Sequence, residues 1–206
     1  MGWKKTASYQ NLYLISAALS NFLFYAFLIP AALLYPEYSP FRHTVSALGN
    51  TTKNPNGWFL FSICLILIAI AIIPFIFGTK KWYESQPSVK KYVQAIQIIG
   101  VFNSFSMVMI AIFPTDTASV QHNFWSLMNF ICIELVVVLA VIGLRKHPSY
   151  WNRLSIIAIL DFIFCATYLF LLRVYRPIAT IFEWLTFIFI LGFLFLLALN
   201  MYKEGL

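Results

Sequence analysis

Residues 58–78 read WFLFSICLILIAIAIIPFIFG, an uncharged run close to the ~20 residues that a helix needs to cross the hydrocarbon core of a bilayer. Outward from it, five more runs of the same character lie at about 11–35, 92–114, 121–144, 154–173 and 178–202. Backbone N–H and C=O groups in lipid must be satisfied within the segment, so each run predicts a helix. Only 10% of the 206 residues are charged and 61% are hydrophobic, where a soluble domain carries about 25% charged residues. Mean hydropathy is +0.82. The chain is therefore predicted to be an all-α, polytopic integral membrane protein. Residues 1–206 are expected to form a single six-helix transmembrane domain, with no room for a separate soluble one. The first run is too long for a cleavable signal peptide and is expected to remain as a signal anchor.

The net charge of +7 is no footprint of nucleic-acid binding, because the fourteen Lys and Arg fall between the runs. There they set orientation and meet anionic lipid. Lys4, Lys5, Lys80, Lys81, Lys90, Lys91, Arg145, Lys146, Arg153 and Lys203 share one side of the membrane. Arg42, Lys53, Arg173 and Arg176 share the other. The positive-inside rule then puts both termini in the cytoplasm. Cys64, Cys132 and Cys165 lie within apolar runs without paired spacing, so they read as core residues rather than a disulfide or metal set.

With that topology, the outer face collects the chemistry. Residues 39–49, Ser-Pro-Phe-Arg-His-Thr-Val-Ser-Ala-Leu-Gly, are punctuated as a short helix. Ser39 suits the cap, Pro40 the first turn and Gly49 the left-handed residue past the end. Phe41, Val45 and Leu48 fall on one side, and Arg42, His43 and Ser46 on another, as in a helix lying in the interface. Such a helix either points its polar side at what the bundle encloses or anchors the first connection, with Arg42 on lipid phosphate.

The third loop adds Asp116 and His122, the fifth adds Arg173 and Arg176, and Glu183 sits just inside the last run. His122, Ser126 and Asn129 form an inward polar stripe at helical spacing. Glu183 is an intramembrane carboxylate and so a functional suspect, or else half of a structural ion pair with Arg173 or Arg176, or with His122. Deeper, Glu134 and Asp161 face each other or hydrogen-bond Asn103 and Ser104, as polar contacts between helices.

In order along the chain, Ser46-Ala-Leu-Gly49 follows the first run, Phe113-Pro114 closes the third, His122 opens the fourth, and Glu183-Trp184 begins the last. This order resembles the six-span family uniting the DRAM autophagy modulators, the Frag proteins and the yeast Sfk protein. It resembles more closely the prokaryotic domain-of-unknown-function family numbered 998. The likeness covers most of the chain and implies six helices, two cytoplasmic termini, work on or near lipids, and the plasma membrane of a prokaryote. Relatives commonly carry an acid after the Ser of Ser-x-x-Gly, where this chain has Ala47.

Three functions fit these residues. The first is non-catalytic handling of anionic phospholipid in an outer pocket. Arg42, Arg173 and Arg176 would meet phosphate there. His43, His122 and Asp116 would meet headgroup hydroxyls, with Ser46 and Glu183 completing the pocket. The second is a membrane-embedded lipid hydrolase or acyl transferase. Its catalytic candidates are Ser46 as nucleophile, His43 or His122 as base, and Asp116 orienting the base. In its other version His43, Asp116, His122 and Glu183 hold Zn²⁺. The third is a transporter with a Glu134–Asp161 proton relay, which six spans without internal repeats favour least. No cofactor is firmly implied, and neither His-Glu-x-x-His nor Gly-x-Ser-x-Gly occurs.

Overall fold

The computed structural model describes the backbone of residues 3–206 and the side chains of residues 11–175 and 177–206. Among the described residues the regular structure is entirely helical. The elements are α1 (Trp3–Leu34), α2 (Trp58–Ala71), α3 (Ile73–Gly78), α4 (Lys80–Ser85), α5 (Lys90–Ile112), α6 (Ser119–Leu144), α7 (Arg153–Val174) and α8 (Arg176–Lys203). Six segments are long and apolar enough to cross a membrane, with α2, α3 and α4 together making the second, Trp58–Ser85. One pole of the bundle holds the start of α1, the end of α8 and the second and fourth connections, and is called the terminal pole. The distal pole holds the first, third and fifth connections.

The second span is longer than the uncharged run 58–78, and it is broken where its sequence lacks a donor. Pro74 carries no N–H, which interrupts the helical ladder. The Ser16 hydroxyl of α1 fills the gap, donating to the Ala71 carbonyl and accepting from the Phe75 N–H at 3.2 Å. A second break follows Gly78, where the Thr79 hydroxyl caps the Ile76 carbonyl at 2.6 Å. Beyond it, α4 lays the fully buried Trp82 over the terminal pole, while Lys81 pairs with Glu84 at 2.6 Å on the exposed side.

The helices pack as a ring. α6 lies on α5, α5 on α2, α2 on α1, α1 on α8, and α8 on α7. α7 and α6, although consecutive in the chain, meet only sparsely, so the ring closes through a loose seam. Ala17, Ala31 and Ala140, all fully buried, let the backbones approach closely. Phe22, Leu33, Ile98, Phe170 and Val174 are exposed around the periphery, as the lipid-facing side chains of a bundle should be.

The first distal connection departs most from expectation. Residues 39–49 form no continuous helix. They make a turn at 40–42 and then a 3-10 helix, Ser46–Gly49. Local side-chain bonds take the backbone groups that a longer helix would have used. The Ser39 carbonyl accepts from the Arg42 and His43 N–H groups at 2.9 and 2.8 Å, and His43 Nδ1 accepts from the Ser39 N–H at 3.2 Å. Thr44 Oγ1 then caps the new helix, accepting from the Ala47 N–H at 3.1 Å. The 3-10 segment is pushed into the bundle rather than laid on its surface, with Val45 2% and Leu48 0% exposed. Gly49 has no left-handed geometry. It is needed for close approach, since a Cβ there would sit 2.5 Å from Cδ1 of Phe61. Asn54 Nδ2 ties the segment down, donating to the carbonyls of Leu48 at 2.9 Å and Ala31 at 3.1 Å, the second of which lies in the unpaired last turn of α1.

Candidate functional site

Glu183 lies about two turns into α8, 2% exposed. Its Oε2 accepts from the Val45 N–H at 2.7 Å. The Tyr168 hydroxyl of α7 donates to the same carboxylate, and the Ser46 N–H is directed at it. A buried carboxylate thus receives the first N–H groups of the Ser46–Gly49 helix, where an anion is favoured and free donors would otherwise be stranded.

His122 opens α6 from the turn that Pro114 imposes. Its ring is 2% exposed, and Nδ1 is 2.7 Å from the Phe113 carbonyl. A carbonyl only accepts, so Nδ1 carries the proton. Nε2 is buried without a hydrogen-bond partner among the described residues.

These groups line one crevice of about 390 Å³ at the distal end of the α6–α7 seam. Ser46, His122, Ser126, Tyr168 and Glu183 form its polar floor. Phe124, Leu127, Leu169 and Leu172 form its apolar flanks, and Asn123 and the exposed Arg173 stand at the rim. Phe124 and Leu127 are 52% and 41% exposed, so the crevice opens sideways through the seam. Behind the floor, a 40 Å³ cavity reaches Asn129, whose buried Oδ1 has no partner among the described residues. Along the seam toward the terminal pole runs an apolar groove of about 230 Å³, lined by Val137, Val141, Ile142, Ala158, Ile159 and Phe162.

Of the residues expected at the site, the structure brings together Ser46, His122, Arg173 and Glu183. It does not bring His43 there. That ring is stacked on Tyr38 with centroids 5.5 Å apart and lies 5.2 Å from Tyr35. Burial raises the Tyr38 phenol above its ordinary value, and the neutral hydroxyl accepts from Trp184 Nε1 at 3.1 Å while donating to the Thr44 carbonyl at 3.2 Å. Arg42 is exposed on the turn.

Asp116 is a clamp between loops. Its two oxygens accept from the N–H and hydroxyl groups of Thr51 at 3.2 and 2.8 Å and of Thr52 at 2.9 and 2.8 Å. Partial desolvation would raise this carboxyl, but the four hydrogen bonds outweigh it and hold the group well below the usual carboxylate range. The side chain of Arg176 lies outside the described residues. His43, Asp116, His122 and Glu183 therefore do not converge as a zinc set. No group of three or more His, Cys, Asp or Glu among the described residues is placed to hold a metal.

Deeper in the seam, Asp161 is fully buried, and neither of its oxygens has a hydrogen-bond partner among the described residues. Glu134 and Cys165 are near enough to act on it electrostatically. Asn103 and Ser104 line a separate 50 Å³ cavity between α3, α5, α6 and α8. Sequence reasoning passed over Tyr168. Its signal was the spacing of Asp161, Cys165 and Tyr168, which lays one polar stripe along the inward face of α7.

The family model for "Protein of unknown function (DUF998)" matches residues 18–200, a range that contains the whole crevice. No curated protein and no solved structure matches the chain. With the match spanning nearly all of the chain and six helices apolar enough to cross a membrane, this is a multi-pass membrane protein that belongs to the DUF998 family.

Proposed function

We propose that the crevice binds the headgroup of an anionic phospholipid and that the protein handles lipid without reacting with it. The observation that carries this reading is the shape of the cavity. A polar floor and a cationic rim open sideways, through apolar flanks, onto hydrocarbon. That layout matches an amphiphile entering from the bilayer, with phosphate against the Arg173 guanidinium and an acyl chain along the seam groove. Arg42, exposed on the same pole, is a peripheral contact for surrounding headgroups. The basic residues gathered at the terminal pole support an orientation with that pole cytoplasmic and the crevice in the outer leaflet of a prokaryotic plasma membrane.

A second reading rests on one observation: Ser46 and His122 share the crevice, and the buried His122 Nε2 has no partner among the described residues. Ser46 Oγ would attack the carbonyl carbon of a lipid ester while His122 takes its proton and returns it to the departing alcohol, and water would then hydrolyse the acyl-serine to free the fatty acid. Two features rank this reading lower. Ser46 Oγ is 3.1 Å from Thr44 Oγ1, and the expected orienting acid, Asp116, is engaged by Thr51 and Thr52.

Native mass spectrometry of the full chain in detergent tests the proposal. An anionic phospholipid should co-purify, and Arg173→Ala should lower its retention about tenfold, the loss of one charge-assisted contact. Unchanged retention in that variant would overturn the headgroup reading. Release of fatty acid that Ser46→Ala abolishes would install the second reading in its place.

A further inference from the structure

We infer that Glu134 and Asp161 form a site for small monovalent cations, protons or sodium ions, at the centre of the α6–α7 seam. The inference is independent of the headgroup reading. Both carboxyls lie close to the midpoints of their helices, and so near the middle of the bilayer. Asp161 is fully buried on the inward face of α7. None of the four carboxyl oxygens of the pair has a hydrogen-bond partner among the described residues. The two groups are near enough to act on each other electrostatically. The Cys165 thiol, directed at Glu134, is only a weak donor.

A carboxylate at this depth is costly unless its charge is met, and a like-charged neighbour adds to the cost. Glu183 shows how the chain meets such a charge itself, with backbone N–H groups and a phenol. Nothing comparable reaches Glu134 and Asp161. α6 carries no basic side chain between His122 and Arg145, and α7 none between Arg153 and Arg173. α8, packed along α7, has no ionisable side chain between Glu183 and Tyr202. Cys132 and Tyr168, the remaining titratable groups on α6 and α7 at these depths, bring no positive charge. Arg153 and Arg145 are both exposed and stand about 12 and about 16 Å from the pair along the helix axes.

The compensating charge therefore comes from outside the chain. No group of three or more His, Cys, Asp or Glu among the described residues is placed to hold a metal, so a divalent ion does not fit the pair. Small single charges do, and the seam gives them a way in. α6 and α7 meet only sparsely. The pair lies between the crevice, which reaches down to Phe130 and Leu169, and the groove, which begins at Val137 and Phe162.

Dicyclohexylcarbodiimide, which reacts with protonated carboxyls in apolar surroundings, tests this on the full chain in detergent at neutral pH, with the modified residue mapped by mass spectrometry. In sodium-free buffer Glu134 or Asp161 should be modified. Sodium that slows the reaction about tenfold, where potassium does not, assigns a sodium ion to the pair. A rate indifferent to sodium assigns protons.

Thermal unfolding gives a second readout, because a cation bound only by the folded chain stabilises it. The wild-type protein should melt lower as pH rises at low sodium if the occupants are protons, or higher as sodium is added at fixed pH. Glu134→Gln with Asp161→Asn keeps the side-chain shapes and removes the charges, so that dependence should be lost. A double variant that keeps the wild-type dependence on both cations would overturn the inference, as would a wild-type protein in which neither carboxyl is modified.

Discussion

Two carboxylates at the distal pole show how burial decides what a charge does. Glu183 is shut inside the bundle, and the groups that hold it are backbone N–H and a phenol. The arrangement is mutual. The Ser46–Gly49 helix needs an acceptor for its first donors, and the carboxylate needs donors to remain in a low dielectric. Removing the acceptor strands a buried N–H and a buried hydroxyl, at about 1–3 kcal/mol for each group. Glu183→Ala should therefore lower stability by about 2–6 kcal/mol. Glu183→Gln keeps a carbonyl oxygen for Val45 and should lose less than half of that. Thermal unfolding of the two variants in detergent checks this, and equal losses would mean that the volume of the side chain matters more than its acceptors.

Asp116, by contrast, is a connector between elements. It joins the loop after α1 to the loop after α5, and so holds the Ser46–Gly49 segment over the start of α6. Its carboxyl is depressed in the folded protein, so its contribution is present above the ordinary carboxylate pKa of about 3.9 and is lost as pH falls below it. The contribution of this clamp should therefore be constant between about pH 5 and 8. Asp116→Asn should cost about 1 kcal/mol across that range, and the difference from wild type should shrink below about pH 4. Denaturant or thermal melts at stepped pH read this directly, and a gap that widens in acid would assign the opposite sign.

The same clamp shows what was legible beforehand. The six spans were readable because lipid forces helices on any long apolar run, whatever it packs against. The break at Pro74 and the fate of residues 39–49 depend on partners far away in sequence: Ser16 for Phe75, Asn54 for Leu48, and Glu183 for Val45. Ser46, His122, Arg173 and Glu183 stood out as polar residues bound for one pole. Their convergence required the loose seam, and hydropathy carries no trace of that. His43 and Asp116 had the right chemistry in the right loops, but local donors, Ser39 for one and Thr51 with Thr52 for the other, took hold of them.

For the molecule as a whole, the question is which leaflet the crevice faces, since under the headgroup proposal a lipid would enter the seam only at the depth where it opens. Lys80, Lys81, Lys90, Lys91, Arg145, Lys146, Arg153 and Lys203 decorate the terminal pole, against Arg42, Lys53, Arg173 and Arg176 at the distal one. Each basic residue near an anionic cytoplasmic surface is worth about 1 kcal/mol, so the asymmetry weighs heavily toward cytoplasmic termini. The native cysteines Cys64, Cys132 and Cys165 are all buried, which makes the protein suited to single-site labelling. Lys53→Cys and Thr117→Cys, both at exposed distal positions, should react with a membrane-impermeant maleimide added to intact cells. Ser88→Cys, exposed in the connection between α4 and α5, should react only after the membrane is opened. The reverse pattern would put the crevice in the inner leaflet. The headgroup contact at Arg173 would then draw on the cytoplasmic lipid pool, and the positive-inside reading of this chain would fall while the crevice chemistry stood.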